Sequence, residues 1–136
     1  MTIFTLLLLL SVTFTLHAED IPENEVLTID EPIPGSMDIE FDDADDLLPK
    51  TGDFLISSNL LMSNQLGERW AVLTIQNRSS SQRLLDREHI VALFANGEKR
   101  YPQYSEYTFY GKEQKTMTIS FGESKFPIVK VETRNR

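Results

Sequence analysis

Apolar and polar positions alternate with period two over much of the chain beyond residue 53, the spacing of extended strands that bury one face. The clearest case is 115–121, where Met117, Ile119 and Phe121 point one way and Thr116, Thr118 and Ser120 the other. In 69–77 the alternation sets Trp70, Val72 and Thr74 against Ala71, Leu73 and Ile75, so both faces are largely apolar, as in an interior strand. An apolar stretch at 54–62 precedes it across a turn that carries Asn64 and Gly67. A further strand at 89–95 runs into Asn96-Gly97, the pair that supplies positive φ to a tight hairpin, and predicts a return strand through Lys99, Arg100 and Tyr101. Residues 78–83 are polar and read as loop, 104–110 as strand or structured loop, and 126–133 as a closing strand with Ile128, Val129 and Val131.

Six or seven short strands at hairpin spacing, with little helical periodicity, predict an all-β antiparallel sandwich, with a small closed barrel as the alternative. The expected core is Trp70, Leu73, Ile75, Leu93, Ile119 and Phe121. The run 70–77, then 89–94, then Gly111 with polar Lys112, Glu113 and Gln114 before the threonines Thr116 and Thr118, resembles immunoglobulin-like modules of bacterial exported proteins. The resemblance covers 69–133 and implies a fold without an activity.

The first fifty residues follow other rules. An apolar run from Ile3 to Leu16, broken only by Thr and Ser, ends at Ala18 before the first acidic residues, which predicts a secretory signal peptide over 1–18. No Lys or Arg precedes the run and Leu16 takes the place of a small residue, but the run falls short of the roughly 20 residues of a bilayer span, and cleavage leaves no membrane segment. A periplasmic or secreted location follows. The chain has no cysteine, so an exported product depends on its core for stability. Residues 19–49 form an acidic, proline-containing arm, mostly extended or disordered, and 50–136 the sandwich domain.

Charge divides along the same line. The arm holds twelve of the 21 carboxylates and no Lys or Arg, which leaves nine acids against all thirteen bases, or +4, in 50–136. Within the arm, Met37, Ile39 and Phe41 alternate with Asp38, Glu40 and Asp42, the pattern of an added edge strand with an apolar side for the sheet.

No catalytic or cofactor motif stands out, and the expectation is a non-enzymatic binding or accessory protein that contacts an envelope or secreted protein. His89, with Asp86 and the serines 79–81, lacks any elbow to present a nucleophile and reads as a surface or edge residue. A lone histidine without cysteine argues against zinc. Asp38, Glu40, Asp42, Asp43, Asp45 and Asp46 suit weak calcium binding but lack the glycine and bidentate Glu of an EF-hand. Tyr101, Tyr104, Tyr107 and Tyr110 offer a stacking patch for a glycan, the alternative function, with Lys99 and Arg100 beside it in sequence. Export disfavours nucleic acid as the polyanion for these cations. Asn77-Arg78-Ser79 matches a glycosylation acceptor.

Overall fold

The computed structural model describes residues 19–31 and 47–136. Eleven strand segments follow in chain order: β1 (Thr28–Ile29), β2 (Thr51–Gly52), β3 (Phe54–Ser63), β4 (Glu68–Asn77), β5 (Arg83–Asp86), β6 (Val91–Phe94), β7 (Lys99–Arg100), β8 (Glu106–Phe109), β9 (Gln114–Glu123), β10 (Ile128–Glu132) and β11 (Arg134–Asn135). Two single 3₁₀ turns, Glu23–Glu25 and Arg87–His89, complete the described elements. The expected all-β character is observed, with no α-helix among the described residues and hence none long and apolar enough to cross a membrane.

One sheet has the order β1-β3-β4-β9 and another β10-β6-β7, all antiparallel, with β5-β8 as a separate antiparallel pair. The arrangement is consistent with a sandwich. β4 is paired along its length on both sides, from Phe54↔Asn77 to Ser63↔Arg69 with β3 and from Glu68↔Glu123 to Gln76↔Gln114 with β9. Its inward residues are Ala71, Leu73, Ile75 and Asn77, all fully buried. Met117, Ile119 and Phe121 of β9 meet them from the same face, as the alternation predicts. Phe54 of β3 shares that face, and Leu85, Ile90, Phe94 and Phe109 fill the space opposite, with Phe54 and Phe109 at 5.4 Å between ring centroids.

Two expected core residues lie elsewhere. Trp70 is even-numbered on a strand whose odd positions point inward, so it stands on the outer face between Met62 and Ser120 and is only half-buried. Leu93 falls between the inward Ala92 and Phe94 and is likewise half-buried. In β10 the strict alternation fails for another reason: a bulge between Ile128 and Lys130 lets Ile128 and Val131 both reach the core.

A parallel pair, β2 with β11, joins the strand ends. Only Asp53 separates β2 from β3, so the chain passes at that residue from parallel pairing with β11 to antiparallel pairing with β4. Thr133, the single residue between β10 and β11, donates its hydroxyl to Phe54 O at 2.9 Å and ties the two crossings together. The Asn96-Gly97 hairpin is present, with Gly97 at φ 88°, a conformation in which a Cβ is strained. β5 is a strand the sequence does not announce, because Leu84 and Leu85 sit side by side in a four-residue segment too short to show a period.

Leu73→Ala is expected to lower the unfolding free energy by about 2–5 kcal/mol, the range for emptying a packed aliphatic site. Leu60→Thr, on the exposed side of β3, should stay within about 0.5 kcal/mol. Urea titration of both variants checks the facing; equal losses would invert it.

Candidate functional site

The sheet formed by β1, β3, β4 and β9 begins with a strand taken from the acidic arm. β1 lies antiparallel to the end of β3 with Thr28↔Ser63 and Ile29↔Met62, and Asp30 N–H donates to Leu61 O at 2.9 Å. The Thr28 hydroxyl donates to Ser63 O at 3.2 Å, and the Ser63 hydroxyl donates to the Asp30 carboxylate. Asn64 organises the turn that follows β3: its Oδ1 accepts from Leu66 and Glu68 N–H, both at 3.1 Å, while its Nδ2 donates to Glu68 Oε2 at 2.5 Å and reaches Glu25 O at 3.5 Å. Between arm and turn lies an open cleft of about 410 Å³ lined by Glu23, Val26, Thr28, Ser63, Asn64 and Gln65.

Directly opposed residues share a face. The outer face of this sheet therefore carries Ile29, Met62, Trp70 and Ser120 in one row, and Leu60, Val72 and Thr118 in the next. Ile29 is 63% exposed and Leu60 41%. The indole N–H of Trp70 is buried and has no hydrogen-bond partner. The pairing of β3 with β4 carries a bulge between Ile56 and Ser58, and on the side away from β4 the strand is covered by β1 from Leu61 to Ser63.

The arm residues Met37, Ile39 and Phe41, proposed from their alternation, lie outside the described residues, as do the six carboxylates considered for calcium and the signal segment 1–18. Among the described residues no three His, Cys, Asp or Glu side chains are grouped to hold a metal. The edge strand that the structure does show, Thr28–Ile29, escaped the sequence reading, because two β-branched residues among carboxylates carry no period.

The four tyrosines take different positions. Tyr104 and Tyr110 are 72% and 68% exposed, whereas Tyr107 packs against the core and Phe109 belongs to it. Tyr101 is half-buried; its hydroxyl donates to Leu48 O at 3.4 Å and the Arg87 guanidinium lies 5.9 Å from its ring centre. No ring contact joins any two of them among the described contacts. Lys99 is half-buried on β7. Arg100 is a structural cation: it donates to Glu98 Oε1, to Phe121 O at 2.9 Å and to Glu123 O at 3.0 Å, and covers the Phe94 ring at 4.7 Å.

His89, expected at the surface, is buried. It closes the turn Arg87–His89, where its Nδ1 accepts Asp86 N–H at 3.1 Å while the Asp86 carboxylate accepts Glu88 N–H at 3.0 Å. The ring stands edge-on to Phe54 at 5.1 Å. It also lies over Gly52, where a Cβ would come within 2.8 Å of its Cδ2, so β2 passes beneath the ring only as glycine. No serine shares a hydrogen bond with it among the described contacts, and its place is that of a cap rather than a general base.

Two ion pairs fasten the crossing near Asp53 to β5. Arg83 Nε donates to Asp53 at 2.7 Å, and Lys50 Nζ to Asp86 at 2.9 Å. The Arg83 hydrogen bond holds the Asp53 carboxyl below its ordinary 3.8, against partial burial and with help from the charge of Arg136. For Asp86 burial is the strongest influence and raises the value, but the Lys50 hydrogen bond and charge, the nearby His89 ring and the Glu88 N–H together outweigh it, and the net shift is downward from 3.8. Lys50 is raised above 10.5, first by the hydrogen bond to Asp86. The two carboxylates thus bind protons less readily folded than unfolded, so their stabilisation is complete above the unfolded value and is lost as pH falls through the lowered folded values. That of Lys50 is complete below 10.5 and is lost as pH rises through its raised value. Replacing Arg83 by Met should therefore make the urea midpoint less sensitive to acidification from about pH 5 to about pH 3 than in the wild-type chain. Identical acid sensitivity would remove Asp53 and Arg83 from the linkage.

Asn77 is the polar centre of the loops beyond β4. Its Nδ2 donates to Ser81 O at 2.8 Å and Tyr110 O at 2.9 Å, and its Oδ1 accepts Ser79 N–H at 2.9 Å. Both amide hydrogens are used and the side chain is buried, so the acceptor motif is closed to glycosylation in the folded chain. Expression in a eukaryotic secretory host should give no glycan mass at Asn77. Asn77→Ala should cost about 1–3 kcal/mol through the three stranded backbone groups, measured by the same urea titration.

No family model, curated protein or solved structure matches the chain.

Proposed function

We propose that this is an exported, non-enzymatic binding module of immunoglobulin-like topology, which contacts another exported protein through the outer face and edge of its first sheet. In an immunoglobulin sandwich strands A, B and E share one sheet, and C and F the other. Assigning β3, β4 and β9 to A, B and E, and β6 and β10 to C and F, reproduces both sets of pairings. Export rests on the apolar run before Ala18 and on a cysteine-free chain that depends on its core.

The observation that carries the binding reading is the docking of β1. A segment of acidic, proline-flanked arm, poor in core-forming residues, is nevertheless held as a strand on β3, which makes this edge competent to accept an extended chain. Ile29 of β1 joins Leu60, Met62, Trp70 and Val72 in two adjacent apolar rows on the outer face. Glycan binding takes second place, because Tyr107 turned inward leaves Tyr104 and Tyr110 without a shared platform.

A photo-crosslinking amino acid at Leu60, in cells that export the chain, is expected to trap one exported protein that is not trapped from Lys130 on β10. Equal capture from both positions, or none from Leu60, overturns the reading.

A further inference from the structure

The way β1 is held specifies what the edge of β3 recognises. Thr28 and Ile29 are both exposed, so their docking buries little and depends on backbone pairing and on polar side chains. Three of those contacts read chemistry. Ser63 O accepts a hydroxyl from position 28, the Ser63 hydroxyl holds a carboxylate two residues later, and Asn64 reaches a backbone carbonyl three residues earlier. Arg69 stands directly across from Ser63 in the ladder, but its Nε donates to Ser124 O at 3.0 Å on the far side, so the carboxylate is read by the Ser63 hydroxyl.

The arm is also a poor occupant of this edge. A strand held on this edge in the register of Thr28↔Ser63 and the Asp30 N–H to Leu61 O bond donates toward β3 at every second position, so its next donor after position 30 would face Asn59. Residue 32 is proline and has no N–H to give. A foreign strand with an ordinary residue there gains a ladder bond that the chain's own segment cannot make. The bulge between Ile56 and Ser58 in the pairing with β4 bends β3 beyond this segment.

We propose that the edge of β3 from Asn59 to Asn64 is a strand-acceptor site for an extended acidic segment of another exported protein, with a hydroxyl residue followed two positions later by a carboxylate, and that residues 25–30 occupy it in the isolated chain as a displaceable stand-in. This rests on the binding function proposed above. An internal occupant lowers the apparent affinity for the partner by the fraction of chains whose edge is open, so freeing the edge strengthens binding without any new contact.

The probe is a fluorescent peptide with the sequence of residues 25–35 in which Thr replaces Pro32 and Pro34, titrated by anisotropy into the purified chain. Asp30→Pro removes both the N–H given to Leu61 and the carboxylate held by Ser63, and, since it lies outside the core, leaves the domain folded. Asp30→Pro should bind the probe at least about tenfold more tightly than the wild-type chain. Adding Ser63→Ala should reverse most of that gain, and a probe that retains both prolines should bind more weakly. Equal affinity of wild-type and Asp30→Pro chains, or no binding to either, overturns the proposal. So does a wild-type dimer in sedimentation that Asp30→Pro abolishes, since the occupant would then be a second copy. If the peptide fails while crosslinking from Leu60 succeeds, this inference falls and the binding function stands.

Discussion

The two-sided pairing of β4 is the constraint on which the other elements depend. With no cysteine to cross-link the chain, the fold is held by the face that Ala71, Leu73 and Ile75 present to Met117, Ile119, Phe121 and the phenylalanines opposite. Because side chains alternate with period two, a slip of one residue would turn Trp70, Val72, Thr74 and Gln76 inward and expose the present core. The last inward position is Asn77, which ends the apolar column and, by bonding Ser81 O and Tyr110 O, fixes the loops that lead into β5 and β9. Register at the centre is thereby carried to the periphery.

The strands legible in the sequence were those with enough length for a period to show. β9, of ten residues, could be read with its face, β4 could be read as an interior strand with both faces apolar, and the Asn96-Gly97 hairpin declared itself through turn chemistry. What stayed hidden depends on tertiary context. Trp70 looks like core by its size, yet parity along the strand puts it outside. Leu84 and Leu85 carry no alternation. His89 looks polar until the close passage of Gly52 and the edge of Phe54 enclose it. The docked strand at Thr28–Ile29 has no pattern of its own, because its place is decided by what the edge of β3 leaves unpaired.

The opposition of charge between arm and domain invites an electrostatic account of how the arm is held, but at β1 the contact is of another kind. Asp30 is taken by the hydroxyl of Ser63. The basic side chains in described ion pairs are partnered within 50–136: Lys50 with Asp86, Arg83 with Asp53, Arg100 with Glu98, Lys115 with Glu113 and Lys130 with Glu132. Exposed pairs of this kind contribute only about 0–1 kcal/mol each and weaken in salt, so backbone pairing, which salt leaves largely intact, is the firmer basis for the arm.

An unpaired strand edge invites adhesion between copies, and proteins blunt such edges with bulges, prolines or short covering strands. β3 combines two of these devices: β1 covers its free edge from Leu61 to Ser63, and a bulge between Ile56 and Ser58 in its pairing with β4 bends the strand beyond. The covering strand is only two residues long, both of them exposed, with a proline two residues beyond Asp30. Such a cover suffices to cap the polar backbone of Leu61 and Ser63, but it buries too little apolar surface to be hard to displace. Protection of the edge and readiness to receive another strand are therefore the same property of β1, set by its length and by Pro32 rather than by any feature of the core.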